Sequence, residues 1–230
     1  MKAIQIAIDG PSGAGKSTLA KKVAERLRIA YLDTGAMYRA VALKALRKQL
    51  ELGDAEAVGA MAQATEISVG FNPQDNSQSV FLDGEDVSGL IRTPEVALGA
   101  SKVAAHPAVR SRMVALQQAL AAKQSVVMDG RDIGTHVLPQ AEIKIFLTAS
   151  VEERARRRYE ELEEKGLLNK TFEELKKEIE DRDYNDTNRA VSPLRQAPDA
   201  ILLDTSGFSL DKAMERLLRI IEERLNKDAV

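Results

Sequence analysis

Eight consecutive residues of this chain have the types and the spacing of a phosphate-binding loop. Residues 10–17 read GPSGAGKS and match the pattern G-x-x-x-x-G-K-[ST] at every position. The glycines let the backbone curl so that successive N–H groups point inward at an anion. In such a loop Lys16 can reach the β- and γ-phosphates, and Ser17 can offer its hydroxyl to Mg²⁺. The loop therefore predicts the binding of a nucleoside triphosphate.

The residues on either side of the loop support that prediction. The apolar run at residues 4–9 is typical of a buried strand, and the amphipathic run at residues 19–27 is typical of a helix. A strand that enters the loop and a helix that leaves it distinguish a phosphate loop from a chance glycine-rich turn. The N-terminus of that helix adds a partial positive charge that favours bound phosphate.

Three further segments hold more polar residues than a core needs. Residues 33–39 (DTGAMYR) and 129–135 (DGRDIGT) lie at the ends of predicted strands, and residues 181–189 (DRDYNDTNR) follow a charged helix. Ligands of open α/β sheets bind just beyond the carboxyl ends of the strands. Asp129 stands where a Walker-B carboxylate would hold Mg²⁺ directly or through water. A helix cap or a turn is the alternative role for this aspartate.

Arginines indicate the reaction class, because phosphoryl transfer needs positive charge and positioning around the transferred group rather than covalent chemistry. Arg154, Arg157 and Arg158 stand at i, i+3 and i+4, which places them on one face of a predicted helix. They belong to the charged segment 150–193. That segment is either a solvated helical hairpin with surface ion pairs or a mobile, arginine-bearing lid.

Other arginines lie in glycine- or aspartate-rich loops near predicted strand ends. A single arginine is usually solvated or paired, but a loop at a strand end favours a role in ligand binding. Residues 182, 186 and 189 would share one face of a helix, although Asn185 and Asn188 argue against a regular helix there. The arginines expected to bind ligand on this argument are Arg39, Arg131, Arg182 and Arg189.

Strands and helices alternate along the chain, which predicts an α/β fold with a parallel sheet between two layers of helices. The predicted parallel strands are residues 4–9, 31–33, 125–129, 143–147 and 200–204. The predicted helices are residues 16–28, 35–49, 55–65, 108–123, 151–165, 171–184 and 210–227. Residues 66–87 interrupt the alternation and predict an inserted antiparallel hairpin, with its turn at residues 72–77.

The whole chain, residues 1–230, is predicted to form a single domain. The hairpin would belong to an insertion at about residues 51–99, and the lid would occupy about residues 150–193. The core of the domain would combine the remaining segments, residues 1–50, 100–149 and 194–230.

Composition excludes several classes of function. The chain has 230 residues and a net charge of −2, which argues against a nucleic-acid surface and against binding to anionic membranes. It has no cysteine, so disulfides, iron–sulfur clusters and thiolate zinc sites are excluded, and a reducing cytoplasm is expected. No apolar run approaches the roughly 20 residues that span a bilayer, and no signal peptide fits the first residues. The predicted site needs no second chain, so a monomer is expected.

Taken together, these segments resemble the bacterial cytidylate kinases, which belong to the nucleoside-monophosphate kinase group. The resemblance extends over nearly the whole chain. It rests on the stretches IAIDGPSGAGKST, LDTGAMYRA, LDGEDVSGLIRTPEV, SKVAAHPAVR, DGRDIGT and DRDYNDTNRAVSPL. The phosphate loop alone marks a superfamily, whereas the combination of TGAMYR, GRDIGT and NRAVSPL is far more specific. In this family the hairpin insertion forms part of the monophosphate-binding region.

The resemblance implies transfer of the γ-phosphate of ATP to CMP or dCMP, with Mg²⁺ held by Ser17 and Asp129. It implies that Arg154 and Arg157 contact ATP from the lid. The ATP phosphates would be cradled by Gly10, Pro11, Ser12, Gly13, Ala14, Gly15, Lys16, Ser17 and Thr18. The residues expected to act in catalysis, by stabilising the charge of the transferred group, are Lys16, Arg131, Arg158, Arg182 and Arg189.

The resemblance also implies how the acceptor is bound. The acceptor phosphate would face Thr34, Arg39 and Arg131. The cytosine edge would be read by Ser101, Arg110 and Asp132. The ribose hydroxyls would meet Arg182 and Asp186, and Arg189 would lie near the acceptor phosphate or the base.

The cytosine assignment agrees with the chemistry of the base. Cytosine carries an amino donor where uracil carries an acceptor, so the carboxylate of Asp132 suits cytosine alone. A buried mismatch of this kind supports discrimination on the order of 10⁴.

Two alternatives remain at the level of sequence. The first is another small P-loop kinase that acts on UMP or on a small metabolite. The second is a P-loop NTPase that serves as a switch or binding module. That class would need a guanine-specifying N-K-x-D motif, which this sequence lacks.

Overall fold

The computed structural model describes residues 3–71 and 78–227. Its strands are β1 (Gln5–Asp9), β2 (Ala30–Asp33), β3 (Ile67–Phe71), β4 (Gln78–Leu82), β5 (Glu85–Asp86), β6 (Val126–Gly130), β7 (Ile143–Thr148) and β8 (Ile201–Asp204). Its α-helices are α1 (Lys16–Leu27), α2 (Thr34–Arg47), α3 (Ala55–Gln63), α4 (Pro94–Val103), α5 (Pro107–Ala121), α6 (Val151–Glu164), α7 (Phe172–Asn188) and α8 (Leu210–Lys227). None of these helices in the described part of the chain is long and apolar enough to cross a membrane.

The central sheet has the strand order β2-β6-β1-β7-β8, and all of its pairings are parallel. Successive side chains of a strand point to opposite faces. On β1, Ala7 therefore packs into a core that includes Met37 of α2, whereas Ile8 packs into a second core with Leu19 of α1 and Leu217 of α8. The predicted α/β/α architecture with five parallel strands is confirmed.

The predicted hairpin is antiparallel, with Ile67 of β3 opposite Leu82 of β4. A third strand, β5, pairs with β4 and makes a small three-stranded sheet. Strand β5 was not predicted, because it has two residues, both acidic, and so shows no alternation of apolar and polar positions. The predicted turn at residues 72–77 lies outside the described residues.

Helix α4 was also absent from the sequence prediction, although it begins with recognisable signals. Thr93 caps it by accepting a hydrogen bond from the Val96 N–H at 3.3 Å, and Pro94 is its first residue. A one-turn π-helix at Ile133–Val137 follows β6 and was not predicted either. Both short elements lie next to the residues that were expected to read the acceptor.

Helix α7 continues to Asn188, four residues beyond its predicted end. The asparagines do not interrupt it, because the Asn188 side chain donates to the Tyr184 carbonyl at 2.8 Å. The Arg189 N–H bonds to the Asn185 carbonyl at 3.1 Å and closes the last turn. The expected interruption of the helix was therefore wrong. The consequence is that residues 182 and 186 share one helical face, and Arg189 follows directly at the C-terminal cap.

Candidate active site

The phosphate loop links β1 to α1 and depends on glycine for its shape. Gly10, Gly13 and Gly15 have φ angles of +150°, +73° and +86°. Residues other than glycine rarely adopt such angles. A Cβ on Gly10 would lie 1.9 Å from the Leu147 carbonyl oxygen, so no larger residue fits there. Because Gly15 precedes α1 and has no side chain to cap it, the first amides of that helix remain free for an anion.

Lys16 is the buried cation of the loop. Its ammonium group donates to the Pro11 carbonyl at 2.7 Å, so the side chain crosses the loop that it belongs to. Burial lowers the pKa of Lys16 well below its ordinary value, and the neighbouring Arg131 and Arg182 lower it further. A bound polyphosphate would reverse that balance by placing negative charge beside Lys16.

Asp129, at the end of β6, receives hydrogen bonds from two hydroxyl groups. Ser17 donates to its Oδ2 at 2.8 Å, and Tyr31 donates to its Oδ1 at 2.9 Å. Burial raises the pKa of Asp129 to about 6, and the nearby Asp33 adds to the effect. The Thr34 hydroxyl donates to the backbone carbonyl of Asp129 at 2.7 Å. Ser17 and Asp129 are thus in direct contact at the end of the phosphate loop.

A cleft of about 250 Å³ adjoins the phosphate loop and is lined by residues from distant parts of the sequence. The structure brings most of the predicted site residues into this one cleft. Those that line it are Ser12, Gly13, Lys16, Ser17, Thr34, Arg39, Ser101, Arg110, Asp129, Arg131, Asp132, Arg182, Asp186 and Arg189.

Asp132 lies between two arginines on one side of the cleft. Arg110 of α5 is paired directly with its Oδ2, and the Arg189 guanidinium lies 3.6 Å from its Oδ1. The side chains of Arg110 and Asp132 are both less than one-tenth exposed. Tyr38 packs under the Arg110 guanidinium, 5.5 Å from ring centre to Cζ. The pair is therefore held in place on several sides.

Asp186 of α7 connects two arginines of the cleft. Arg131 donates through Nε to its Oδ2 at 2.7 Å, and Arg189 lies 3.9 Å from its Oδ1. Burial alone would raise the pKa of Asp186, but Arg131 and the other arginines lower it below its ordinary value. Burial also lowers the pKa of Arg182 to about 10, with Arg131 as a second cause. The cleft thus gathers more positive charge than its carboxylates balance.

Arg39 of α2 lies at the mouth of the cleft, paired with Asp33 at 2.6 Å. The same carboxylate caps α2 by accepting from the Ala36 N–H at 3.0 Å. The Gln78 side chain of the hairpin forms two hydrogen bonds with the backbone of Asp33. It accepts from the Asp33 N–H at 2.7 Å and donates to the Asp33 carbonyl at 3.3 Å. These bonds connect the inserted sheet to the end of β2, next to Thr34 and Arg39, which were expected to bind the acceptor phosphate.

The arginines of α6 contact different parts of the protein, although they share one helical face. Arg154 is buried behind the phosphate loop, where it donates to the Ser12 carbonyl at 2.9 Å and pairs with Asp183 at 2.6 Å. Arg157 donates to the Thr205 carbonyl at 2.8 Å. Arg158 pairs with Glu161 at 2.8 Å and is 46% exposed. The structure therefore brings Arg154 to the loop and leaves Arg158 on the surface.

Several polar residues of the site were missed by the sequence analysis. Tyr31 and Gln78 carry no signal in a single sequence, because each contacts its partner across the fold. Asp9 does carry a signal, since it follows an apolar run in the sequence as Asp33 and Asp129 do. Its carboxylate is buried, and burial raises the pKa of Asp9 to about 6 despite two backbone hydrogen bonds that oppose the shift.

The fold and the cleft define a phosphotransferase of the P-loop class. A parallel sheet presents the phosphate loop at its carboxyl edge, and arginines from separate elements face that loop across a cleft. The cytidylate kinase family model matches residues 6–223, and the chain belongs to the cytidylate kinase family.

Curated relatives agree with this assignment. The chain is 53% identical over 224 residues to a cytidylate kinase of Lysinibacillus sphaericus, covering 97% of this chain and 99% of the relative. It is 50% identical to that of Shouchella clausii, covering 96% of this chain and 97% of the relative. It is 51% identical to that of Geobacillus kaustophilus, covering 96% and 98%. The resemblance drawn from the sequence motifs is confirmed.

Proposed function

We propose that this chain transfers the γ-phosphoryl group of ATP to CMP or dCMP, giving ADP and CDP or dCDP. Membership in the cytidylate kinase family supports this reaction. The observation that carries it is the buried pair of Arg110 and Asp132, which lies in the same cleft as the phosphate loop. One nucleotide is held by the loop, and the other is read by that pair.

The donor side uses backbone amides, one lysine and two oxygen ligands. Residues 10–18 wrap the phosphates of ATP, and Lys16 exchanges the Pro11 carbonyl for phosphate oxygens. Ser17 and Asp129 form the site for Mg²⁺, which would neutralise charge on the β- and γ-phosphates. A hydroxyl and a carboxylate fit this ion, because Mg²⁺ prefers oxygen and completes its shell with water and substrate phosphates.

The acceptor side binds the nucleotide monophosphate with residues from five parts of the fold, namely α2, α4, α5, the end of β6 and α7. Asp132 accepts from the cytosine amino group, while Arg110 and Ser101 donate to the ring acceptors. Arg182 and Asp186 meet the ribose hydroxyls. The residues that bind the acceptor phosphate in this proposal are Thr34, Arg39 and Arg131, with Arg189 between the phosphate and the base.

The chemical step requires no general base from the protein. An oxygen of the acceptor phosphate is already anionic at neutral pH and attacks the γ-phosphorus directly. The bond from that phosphorus to the bridging oxygen breaks, and ADP leaves with the electron pair. Lys16, Arg131 and Arg182 face the three oxygens on which charge accumulates. Their task is to place positive charge there before the reaction begins.

Two segments would move during turnover in this proposal. The segment 150–193, which contains α6 and α7, would close over ATP and exclude water, with Arg158 released from Glu161 to join the transferred phosphate. The insertion at about residues 51–99 would close over the acceptor. We also propose that the protein is a cytoplasmic monomer and that its binding partners are small molecules only.

A panel of acceptors with ATP and Mg²⁺ tests the proposed reaction. ADP formation is measured in a coupled assay with CMP, dCMP, UMP, AMP, shikimate and small polyols. We expect efficient turnover with CMP and dCMP, weak turnover with UMP and none with the remaining acceptors. Preferential turnover of any other acceptor, or hydrolysis that ignores the acceptor, would contradict the proposal.

A further inference from the structure

Asp9 joins the donor loop to the acceptor side of the cleft. It is the last residue of β1 and directly precedes Gly10 of the phosphate loop. Its two carboxylate oxygens accept hydrogen bonds from the N–H groups of Ile133 and Gly134, each at 2.7 Å. The residue is 4% exposed and is not among those that line the cleft in the described part of the chain. Its carboxylate is thus committed to the protein backbone rather than to a ligand.

The two N–H groups that donate to Asp9 belong to the first two residues of the π-helix Ile133–Val137. The first N–H groups of any helix have no partner within the helix and need an external acceptor. The preceding residue usually supplies that acceptor from its own side chain. Here the preceding residue is Asp132, and its carboxylate is engaged by Arg110 and Arg189 instead. Asp9, 124 positions earlier in the sequence, serves as the cap in its place.

The packing around Gly134 keeps this connection tight. A Cβ on Gly134 would lie 3.3 Å from the Asp9 carboxylate and 3.2 Å from the Lys144 side chain. Lys144 is itself fixed, because its ammonium group bonds to Asp199 at 2.7 Å and to the Pro139 carbonyl at 2.5 Å. The start of the π-helix is therefore held between Asp9 on one side and an anchored lysine stem on the other.

We propose that Asp9 is a positioning residue that determines the affinity for the acceptor and the selectivity for cytosine over uracil. It does so without contacting either nucleotide. It acts through the backbone of Ile133 and Gly134, which fixes the direction of the adjacent Asp132. The inference rests on the proposed function, because it concerns the acceptor of that reaction. In this proposal Asp9, at the end of β1, fixes the acceptor side of the cleft relative to the phosphate loop that follows it.

The Asp9→Asn variant removes one of the two capping bonds without changing the size of the side chain. The amide can accept from one backbone N–H, but its NH₂ group must face the other. Misplacement of a binding group by a fraction of an ångström to 1 Å costs roughly 10–100-fold. We therefore expect KM for CMP to rise at least about tenfold and the preference for CMP over UMP to fall, while KM for ATP stays within about twofold.

Ile8→Val is the matched control, because it trims the neighbouring buried residue on the other face of the same strand. It lowers stability without touching the capping bonds. KM values for CMP and ATP in the control should match those of the wild type. Equal rises in both KM values of Asp9→Asn, or a KM for CMP equal to that of Ile8→Val, would overturn the positioning role.

A second variant, Gly134→Ala, reaches the same contact from the opposite side and decides the matter if Asp9→Asn does not fold. Its methyl group would lie 3.2 Å from the Lys144 side chain and 3.3 Å from the Asp9 carboxylate. Because the anchored lysine leaves little room, the carboxylate must shift and the same selective rise in KM for CMP is expected. An unchanged KM for CMP in this variant would overturn the inference. Wild-type enzyme that does not phosphorylate CMP would instead contradict the proposed function, and the two failures are thereby distinguished.

Discussion

The two sides of the cleft are built in opposite ways. The donor side is one strand-to-helix turn, residues 10–18, in which backbone amides and glycine conformations form most of the site. The acceptor side is assembled from α2, α4, α5, the end of β6 and α7, and it consists of charged side chains that pair with one another. The first depends on local geometry, and the second depends on the whole fold.

This difference predicts how each side responds to substitution. A loop that binds phosphate through backbone N–H groups should tolerate substitution of the surrounding side chains. It should lose activity when its one lysine is replaced. A network of buried ion pairs fails in a coupled manner, because removal of one charge leaves its partner buried and uncompensated. The experiments below test these two modes of failure, from the largest expected effect to the smallest.

Replacement of Lys16 by Met should have the largest effect. The variant removes the cation that we propose to face the transferred phosphate, and loss of one such donor lowers kcat by roughly 10²–10³-fold. Steady-state kinetics measure the effect, and circular dichroism checks the fold. Lys22→Met, on the exposed face of the same helix, is the control and should retain wild-type turnover. A Lys16→Met enzyme within a few-fold of the wild type would contradict the donor assignment.

The Arg131–Asp186 pair tests whether the acceptor side behaves as a network. Arg131→Met and Asp186→Asn should each raise KM for CMP, and the double variant should lose less than the product of the two effects. Contacting charged residues typically show coupling of about 0.5–3 kcal/mol. The exposed pair of Arg47 and Glu85 supplies a control cycle in which KM for CMP should not change. Independent effects of Arg131 and Asp186 would argue against a network.

The pH dependence of Mg²⁺ binding probes the donor side. Burial raises the pKa of Asp129 to about 6, so the folded protein favours the protonated carboxyl below that pH. Only the carboxylate ligates the ion. The apparent affinity for Mg²⁺ should therefore be constant above pH 7 and fall by up to about tenfold per unit below pH 6. Titrations of Mg²⁺ at fixed ATP across pH 5–8, in the wild type and in Asp129→Asn, measure this, because protonation of ATP itself is common to both proteins. Identical pH profiles of the two proteins would contradict the role of Asp129.

Substitution of the arginines of α6 should give a clear difference in the free energy of unfolding. Arg154→Met leaves Asp183, whose side chain is 20% exposed, without its partner, so the loss should lie between those of an exposed and a fully buried pair, at about 1–3 kcal/mol. Arg158→Met removes an exposed pair and should cost less than about 1 kcal/mol. Urea unfolding of the two variants compares these values. Equal losses would show that Arg154 does not support the phosphate loop.

The sequence predicts the donor side more completely than the acceptor side, for a physical reason. Residues 10–17 are contiguous, so their types and spacing reveal the loop without knowledge of the fold. The cap that Asp9 provides joins residues 124 positions apart, and only the register of β1 beside β6 brings them together. Helix α7 was predicted four residues short, because the bond from Asn188 to the Tyr184 carbonyl is specific to this helix end.

The central claim is that a phosphate loop and a cytosine-reading carboxylate act in one cleft, and Asp132→Asn tests it most directly. The measurement is the ratio of kcat/KM for CMP to that for UMP, in the wild type and in the variant. An amide can donate to the uracil oxygen and no longer offers a full negative charge to the cytosine amino group. We expect turnover of CMP to fall and the ratio to narrow by roughly 10²-fold or more. An unchanged ratio would contradict the account.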